Sequence, residues 1–205
     1  MPDYSYERTA HENGFPAVCG IDEAGRGPLA GPVCAAAVIL PDGAVIEGLN
    51  DSKKLSEKKR DSLYDTVTET AISWSVAFAD VEEIEKYNIL EATFIAMKRA
   101  MDGLKVKPDY ALIDGNRAPH GLCVPCKTVI KGDSLSCSIA AASIIAKVMR
   151  DRLMLRYAEE YPLYGFEKHK GYGTAAHYSA VDKYGLCPIH RPSFFRKYFE
   201  GKQNG

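Results

Sequence analysis

The stretch Cys19–Val33 reads C-G-I-D-E-A-G-R-G-P-L-A-G-P-V. In it an apolar run, Ala17 to Ile21, meets two acids, Asp22 and Glu23, followed at once by Gly25, Arg26 and Gly27. Paired carboxylates at the end of a strand-like run offer oxygen ligands to a cation, and a Gly-Arg-Gly loop offers phosphate donors. The combination points to chemistry at a phosphodiester. Val33 to Leu40 is apolar again before a Pro41-Asp42-Gly43 turn, so two strands form an antiparallel hairpin with the acids near its mouth.

Outward from this hairpin the chain alternates between sheet and helix. Ser56 caps a helix expected to about Thr70, and Trp74 to Ala79 alternates as a third strand. Asp80 and Glu83 have capping-box spacing, and Leu90, Phe94, Met97, Met101 and Leu104 form the core-facing stripe of the helix that follows. Pro108 breaks that pattern, and Tyr110 to Ile113 is a short strand ending in Asp114-Gly115. Cys123 to Ile130 is another, followed by Lys131-Gly132-Asp133. Ser134 or Ser136 caps a helix reaching about Tyr161, whose small, apolar first turns demand burial against the sheet. Its one polar stripe, Ser143, Lys147 and Arg150 or Asp151, fits a solvated face and a substrate-facing one equally well. Beyond Pro162 come a loop dense in Gly, Lys, His and aromatics, a short helix capped by Thr174, and a basic, aromatic tail. Residues 1–16 look like a lead-in arm, 17–160 like the core, and 161–205 like a helical extension continuous with it.

The 205 residues suffice for one full core, and 46% hydrophobic with 26% charged residues excludes disorder over most of the length. A formal charge of -1 gives no global attraction to a polyanion. Charge is nonetheless segregated: from Lys147 onward basic residues outnumber acids 11 to 6, whereas before it acids lead 21 to 15. The polar start, M-P-D-Y-S-Y-E-R, has no apolar signal-like run, and no segment is long enough to cross a bilayer. A cytoplasmic protein with reduced thiols is expected. Cys123 and Cys126 make one C-x-x-C, without the second half of a zinc site and followed by Lys-Thr-Val-Ile rather than a helix. Two small apolar residues on a strand is the plainer reading.

Asp22, Glu23, Asp114 and Asp133 each stand at an expected strand end. Singly, each is better explained as a turn or capping residue than as a ligand. If the ends converge, four carboxylates repel one another unless a cation neutralises them. Oxygen-only donors favour Mg²⁺ or Mn²⁺, and two such ions about 4 Å apart can activate water and stabilise the leaving oxygen of a phosphodiester. Adjacent residues on a regular strand face opposite ways, so Asp22 and Glu23 share a pocket only if the chain bends, and Ala24-Gly25 is where a bend is expected.

The chain resembles the ribonuclease HII family, the type 2 ribonucleases H. The resemblance is carried by G-I-D-E-A-G-R-G-P-L-A-G-P-V at 20–33, D-S-K-K-L at 51–55, I-D-G at 113–115, K-G-D at 131–133, S-I-A-A-A-S-I-I-A-K-V-x-R-D at 138–151 and H-K-G-Y-G-T at 169–174. It implies an α/β fold, a ribonuclease H-like five-stranded mixed sheet flanked by helices, with a C-terminal helical extension. It also implies a monomeric endonuclease that cuts the RNA strand of RNA/DNA hybrids and nicks ribonucleotide-containing duplex DNA 5′ of the ribonucleotide, leaving 3′-hydroxyl and 5′-phosphate ends. The catalytic and metal-binding acids would be Asp22, Glu23, Asp114 and Asp133. Substrate contacts would come from Gly25, Arg26, Gly27 and Tyr172, the tyrosine lying on the sugar after the ribonucleotide. Lys53, Lys54, Ser143, Lys147, Lys170 and Arg191 are further candidates, the lysines at 53, 54 and 170 being almost as well explained by solvated surface. His169, His177 and His190 fit structural hydrogen bonds better than proton transfer. Another nuclease or strand-transfer protein of the same fold would also use clustered acids, and a non-catalytic nucleic-acid-binding module would use only the basic tail.

Overall fold

A computed structural model describes residues 1–52 and 55–203. Five strands, β1 (Val18–Ala24), β2 (Val33–Ile39), β3 (Ser73–Ala79), β4 (Tyr110–Asp114) and β5 (Cys126–Val129), form one sheet in the order β3-β2-β1-β4-β5. β1 pairs antiparallel with β2 and parallel with β4, and β4 pairs parallel with β5. This is the mixed five-stranded sheet the resemblance implied. The helices are α1 (Ser5–Glu12), α2 (Glu57–Thr70), α3 (Val81–Asp102), α4 (Cys137–Glu160), α5 (Phe166–His169), α6 (Ala175–Tyr184) and α7 (Pro192–Gln203).

Period-2 alternation in β1 and β2 sorts their side chains between two layers. Cys34, Ala36 and Val38 face α4 with Ala140, Ile144 and Ala146, while Ile21, Ala35 and Ala37 face α3 with Met97, Ala100 and Met101. Small residues let α4 approach closely. A Cβ at Gly20 would stand 2.1 Å from the Ser138 carbonyl carbon, so only glycine fits there. A third cluster, Leu29, Met154, Phe166, Val181 and Phe195, joins the C-terminal extension to α4 and to the loop after β1.

The caps fall where the sequence puts them: Ser56, Ser136 and Thr174 accept N3 amides, and Asp80 with Glu83 closes a full capping box. α3 departs from a single helix at Asn88, whose φ is +72° and whose Oδ1 accepts from the amides of Leu90 and Glu91. Asn88 therefore ends one helical segment and caps the next.

Two expectations need correction. Residues 1–16 are more than a lead-in arm, because α1 docks Glu7, 4% exposed, onto the start of α4. Glu7 Oε1 accepts from the Ser136 hydroxyl at 2.6 Å, the Ser138 amide at 2.9 Å and the Ser138 hydroxyl at 2.6 Å. Cys123 and Cys126 are both exposed free thiols, since β5 begins only at Cys126 and is the sheet's edge.

Candidate active site

β1 runs regularly through both acids, with Asp22 opposite Ala36 and Glu23 opposite Ala35. The bend expected to bring them to one face is not there; the turn comes only afterwards, at Gly25 with φ +97°. Asp22 points to the α4 layer and Glu23 to the α3 layer. Asp114, one step past the Ile21–Ile113 pair of the parallel β1–β4 ladder, falls by alternation on the Asp22 side. At the strand ends these faces meet, and Glu23 and Asp114 line one cleft together with Arg26, Thr93, Asn116 and Arg117.

Asp22 is 2% exposed. Its Oδ1 accepts from the Glu23 amide at 2.7 Å, while its Oδ2 is buried with no hydrogen-bond partner. Burial, and then the charges of Glu23 and Asp114, push its pKa well above the usual carboxylate range, against hydrogen bonds from the Glu23 amide and Ser143. An orphaned carboxylate oxygen repelled by two neighbouring acids has the chemistry of a cation ligand awaiting its ion. Among the described residues no three Asp, Glu, His or Cys side chains are gathered closely enough to hold an ion as they stand. The donor set fits a hard divalent cation by charge and atom type.

Asp133 sits in a single 3₁₀ turn, Gly132–Ser134, entered through Lys131 with φ +58°. It is 6% exposed, and the Gly132 amide donates to Asp114 Oδ1 at 2.6 Å. The turn that carries Asp133 is thus tied to the third acid. A Cβ at Gly132 would come 2.6 Å from Ile139 Cδ1 and 3.3 Å from Asp114 Oδ1, so a larger residue would have to displace the Ile139 side chain.

Gly25, Arg26 and Gly27 form an outer lip. The Arg26 side chain is about half exposed and reaches Glu23 at 3.3 Å. Tyr172, 43% exposed, stands across from it, its ring edge 3.9 Å from where a Gly27 Cβ would be. The polar stripe of α4 runs between these groups and is no solvated face. Ser143, 3% exposed, bonds Ser52 at 2.7 Å beside Asp22. Lys147 Nζ, 2.8 Å from Asp151, lies 5.6 Å from the Tyr172 ring centroid. Lys170 is half-buried with φ +49°, and its ammonium bonds the Glu167 carbonyl. Lys53 and Lys54 lie outside the described residues.

Arg191 is corrected outright: expected at phosphate, it is fully buried. It donates to the carbonyls of Gly25 at 2.7 Å, Arg26 at 3.0 Å, Pro28 at 2.8 Å and Gly31 at 2.9 and 2.6 Å. Arg150, also fully buried, does the same for Ala30, Pro32 and Lys170. Two guanidiniums therefore shape the Gly-Arg-Gly loop from behind and couple it to the Tyr172 loop. The sequence stripe containing Arg150 hinted at this, but the carbonyl acceptors carry no side-chain signal. The three histidines beneath Tyr172 are all hydrogen-bonded.

Comparison with known proteins gives matches over most of the chain. A family model described as ribonuclease HII matches residues 19–200. The chain is 56% identical over 191 residues to a ribonuclease HII of Endomicrobium trichonymphae, covering 93% of this chain and 91% of that one. It is 60% identical over 177 residues to a ribonuclease HII of Dechloromonas aromatica, covering 86% and 90%. The crystal structure of the ribonuclease H2 from Pyrococcus horikoshii superposes with a TM-score of 0.72 at 26% identity, covering 86% of this chain and 93% of that one. With its acids at the ends of β1 and β4, its Gly-Arg-Gly lip and near full-length matches at this identity, the chain belongs to the ribonuclease HII family and is a type 2 ribonuclease H, a metal-dependent nuclease that cleaves RNA in hybrids.

Proposed function

We propose that the protein acts as a monomer on duplexes, cutting the RNA strand of RNA/DNA hybrids and nicking duplex DNA on the 5′ side of an embedded ribonucleotide, with Mg²⁺ or Mn²⁺ as cofactor. The observation that carries this reading is the buried, half-satisfied Asp22 beside Glu23 and Asp114, set behind a glycine-lined lip with Tyr172 opposite. Asp22, Glu23, Asp114 and Asp133 would hold two divalent ions, whose role when bound is to sharpen the water nucleophile and neutralise charge on the leaving oxygen.

The chain's own groups do the rest. The Gly25–Gly27 turn, whose Gly27 is exposed and carries no side chain, brings main-chain groups to the 2′-hydroxyl that separates RNA from DNA. Arg26 and Lys147 place phosphates without reading bases. The exposed face of Tyr172 lies on the next sugar, where a ribose would crowd it. Ser143 and the Glu23 amide orient the Asp22 carboxylate. Gly132 orients Asp114. Asp133 holds an ion directly or positions the attacking water.

Product mapping on duplex DNA containing one ribonucleotide, with Mg²⁺ and Mn²⁺ compared, tests the reading. Incision immediately 5′ to the ribonucleotide, giving 3′-hydroxyl and 5′-phosphate ends, is expected. Equal cutting of all-DNA duplex, or tight binding without metal-dependent turnover, would refute it.

A further inference from the structure

The Tyr172 loop rests on a cluster of three histidines. His169 and His177 lie nearly parallel, with centroids 4.4 Å and planes 16° apart, and His190 follows with its centroid 5.1 Å from His177. His177 and His190 are inaccessible to solvent, closed in by the edges and faces of Phe166 and Phe195. In such a site every ring nitrogen must be matched to its partner.

The partners settle the protons. A carbonyl oxygen only accepts, so His177 Nδ1, 3.0 Å from the Tyr172 oxygen, carries a hydrogen. A backbone amide only donates, so His190 Nδ1, 2.8 Å from the Cys187 nitrogen, is bare. That nitrogen also lies 3.1 Å from Cys187 Sγ, whose thiol can donate to it. It lies 3.3 Å from the Cys187 oxygen, which is already bonded by the His190 amide at 2.9 Å. Between the rings the two Nε2 atoms are 3.0 Å apart, and that gap takes one hydrogen. From the Tyr172 end, a neutral His177 protonated at Nδ1 has a bare Nε2 and requires a donor. From the Cys187 end, a neutral His190 bare at Nδ1 must carry its proton on Nε2. The two ends, solved separately, give one assignment.

We propose that Cys187, His190 and His177 form a directed hydrogen-bond chain that ends on the Tyr172 carbonyl and sets the position of the tyrosine ring over the Gly25–Gly27 lip. His177 and His190 are thus positioning residues for discrimination at the sugar, an inference that rests on the Tyr172 contact proposed above. Loop geometry agrees with it. Tyr172 O also accepts from the Thr174 amide at 2.9 Å, Tyr172 N donates to the His169 carbonyl at 2.8 Å, and Leu29 N donates to the Gly171 carbonyl at 2.8 Å. The Tyr172 backbone is thus fixed on several sides, and the histidine chain is the side-chain anchor among them. Burial keeps both rings neutral, with pKa values lowered to about 4. An added proton would set donor against donor at one of the links.

Nitrogen-15 NMR of the wild-type protein near neutral pH reads the chain directly. His177 is expected to be protonated at Nδ1 and His190 at Nε2; the reverse tautomers, or a charged ring, would overturn the inference. Function is tested with His177→Asn and His177→Gln. Asparagine can place its amide nitrogen at the Nδ1 position and still donate to Tyr172, whereas glutamine places its amide at the Nε2 position and cannot. On the one-ribonucleotide duplex, His177→Gln should raise KM by roughly tenfold with little change in kcat, and His177→Asn should restore it. Tyr172→Ala separates the two ideas. Wild-type cleavage by Tyr172→Ala would refute the substrate contact while leaving the tautomers intact. Impaired cleavage by Tyr172→Ala with wild-type behaviour of His177→Gln would refute the positioning chain alone.

Discussion

Replacing Arg191 by lysine keeps the positive charge and removes the fork that holds the Gly25–Gly31 loop. Five donor contacts, from three guanidinium nitrogens, serve the carbonyls of Gly25, Arg26, Pro28 and Gly31. One ammonium can meet two of those carbonyls, leaving the other two without their partner. Each orphaned buried carbonyl costs about 1–3 kcal/mol, so a loss of roughly 3–5 kcal/mol is expected. For a chain of this size that lowers Tm by about 6–20 °C. The charge itself is expensive to keep buried, because burial and the neighbouring Arg150 both depress the Arg191 pKa, so the carbonyls are what make the cation tolerable. Urea denaturation gives the stability, and duplex affinity measured against salt at a temperature where the variant is folded gives the second readout. A phosphate contact removed would lower the slope of log K against log[salt] by about one. With Arg191 buried, the slope should not change. A variant as stable as wild type with a shallower salt slope would refute the structural role.

Asp22→Asn should abolish cleavage while raising thermal stability in the absence of metal, because the substitution removes a buried carboxylate that Glu23 and Asp114 repel; melting curves with and without Mg²⁺ should show that only the wild type gains from the ion. Gly20→Ala should destabilise by about 3 kcal/mol or more, since its Cβ would stand 2.1 Å from the Ser138 carbonyl carbon and neither β1 nor α4 can yield without moving the acids. A urea midpoint within error of wild type would disprove it. His177 and His190 have folded pKa values lowered to about 4 from 6.5, so the unfolded chain binds more protons between these limits. Their contribution is complete above pH 6.5 and is lost as pH falls towards 4, by on the order of 3 kcal/mol for each ring. Urea midpoints between pH 7 and pH 4 should fall accordingly, and His177→Asn should flatten the curve.

What the chain declares in advance is mostly local. Asp80 and Glu83 announce a helix start because both capping partners lie within three residues, and the acids of β1 and β4 stand beside glycines that mark where strands stop. Glu7 announces nothing, since its meaning lies in Ser136 and Ser138, more than a hundred residues away. Arg191 misleads for a related reason: a lone arginine in a basic tail looks like a phosphate contact, and its true acceptors are backbone carbonyls that every residue has. Asp22 and Glu23 were legible as a pair, but not the faces of the sheet from which they approach one another. The expected bend is absent, and the acids meet around the rim of the sheet from opposite faces. The cysteines at 123 and 126 were misjudged because β5 is shorter than its apolar sequence suggests.

The Glu7 clamp also has a temporal side. Its partners are 129 and 131 residues further along the chain, and closing a loop of that length costs about 4 kcal/mol of chain entropy. Three hydrogen bonds accepted by one carboxylate oxygen can roughly offset that cost only once α4 already exists to donate them. At ribosomal speeds the first helix therefore waits on the order of ten to thirty seconds for its counterpart to be made. Throughout that interval the segment around Tyr4, Tyr6 and Ala10 lacks Cys137, Ile139 and the rest of the α4 surface it packs against. The α1 residues are made long before the partners that fasten them, and Glu7 is the latch that ties α1 to the start of α4.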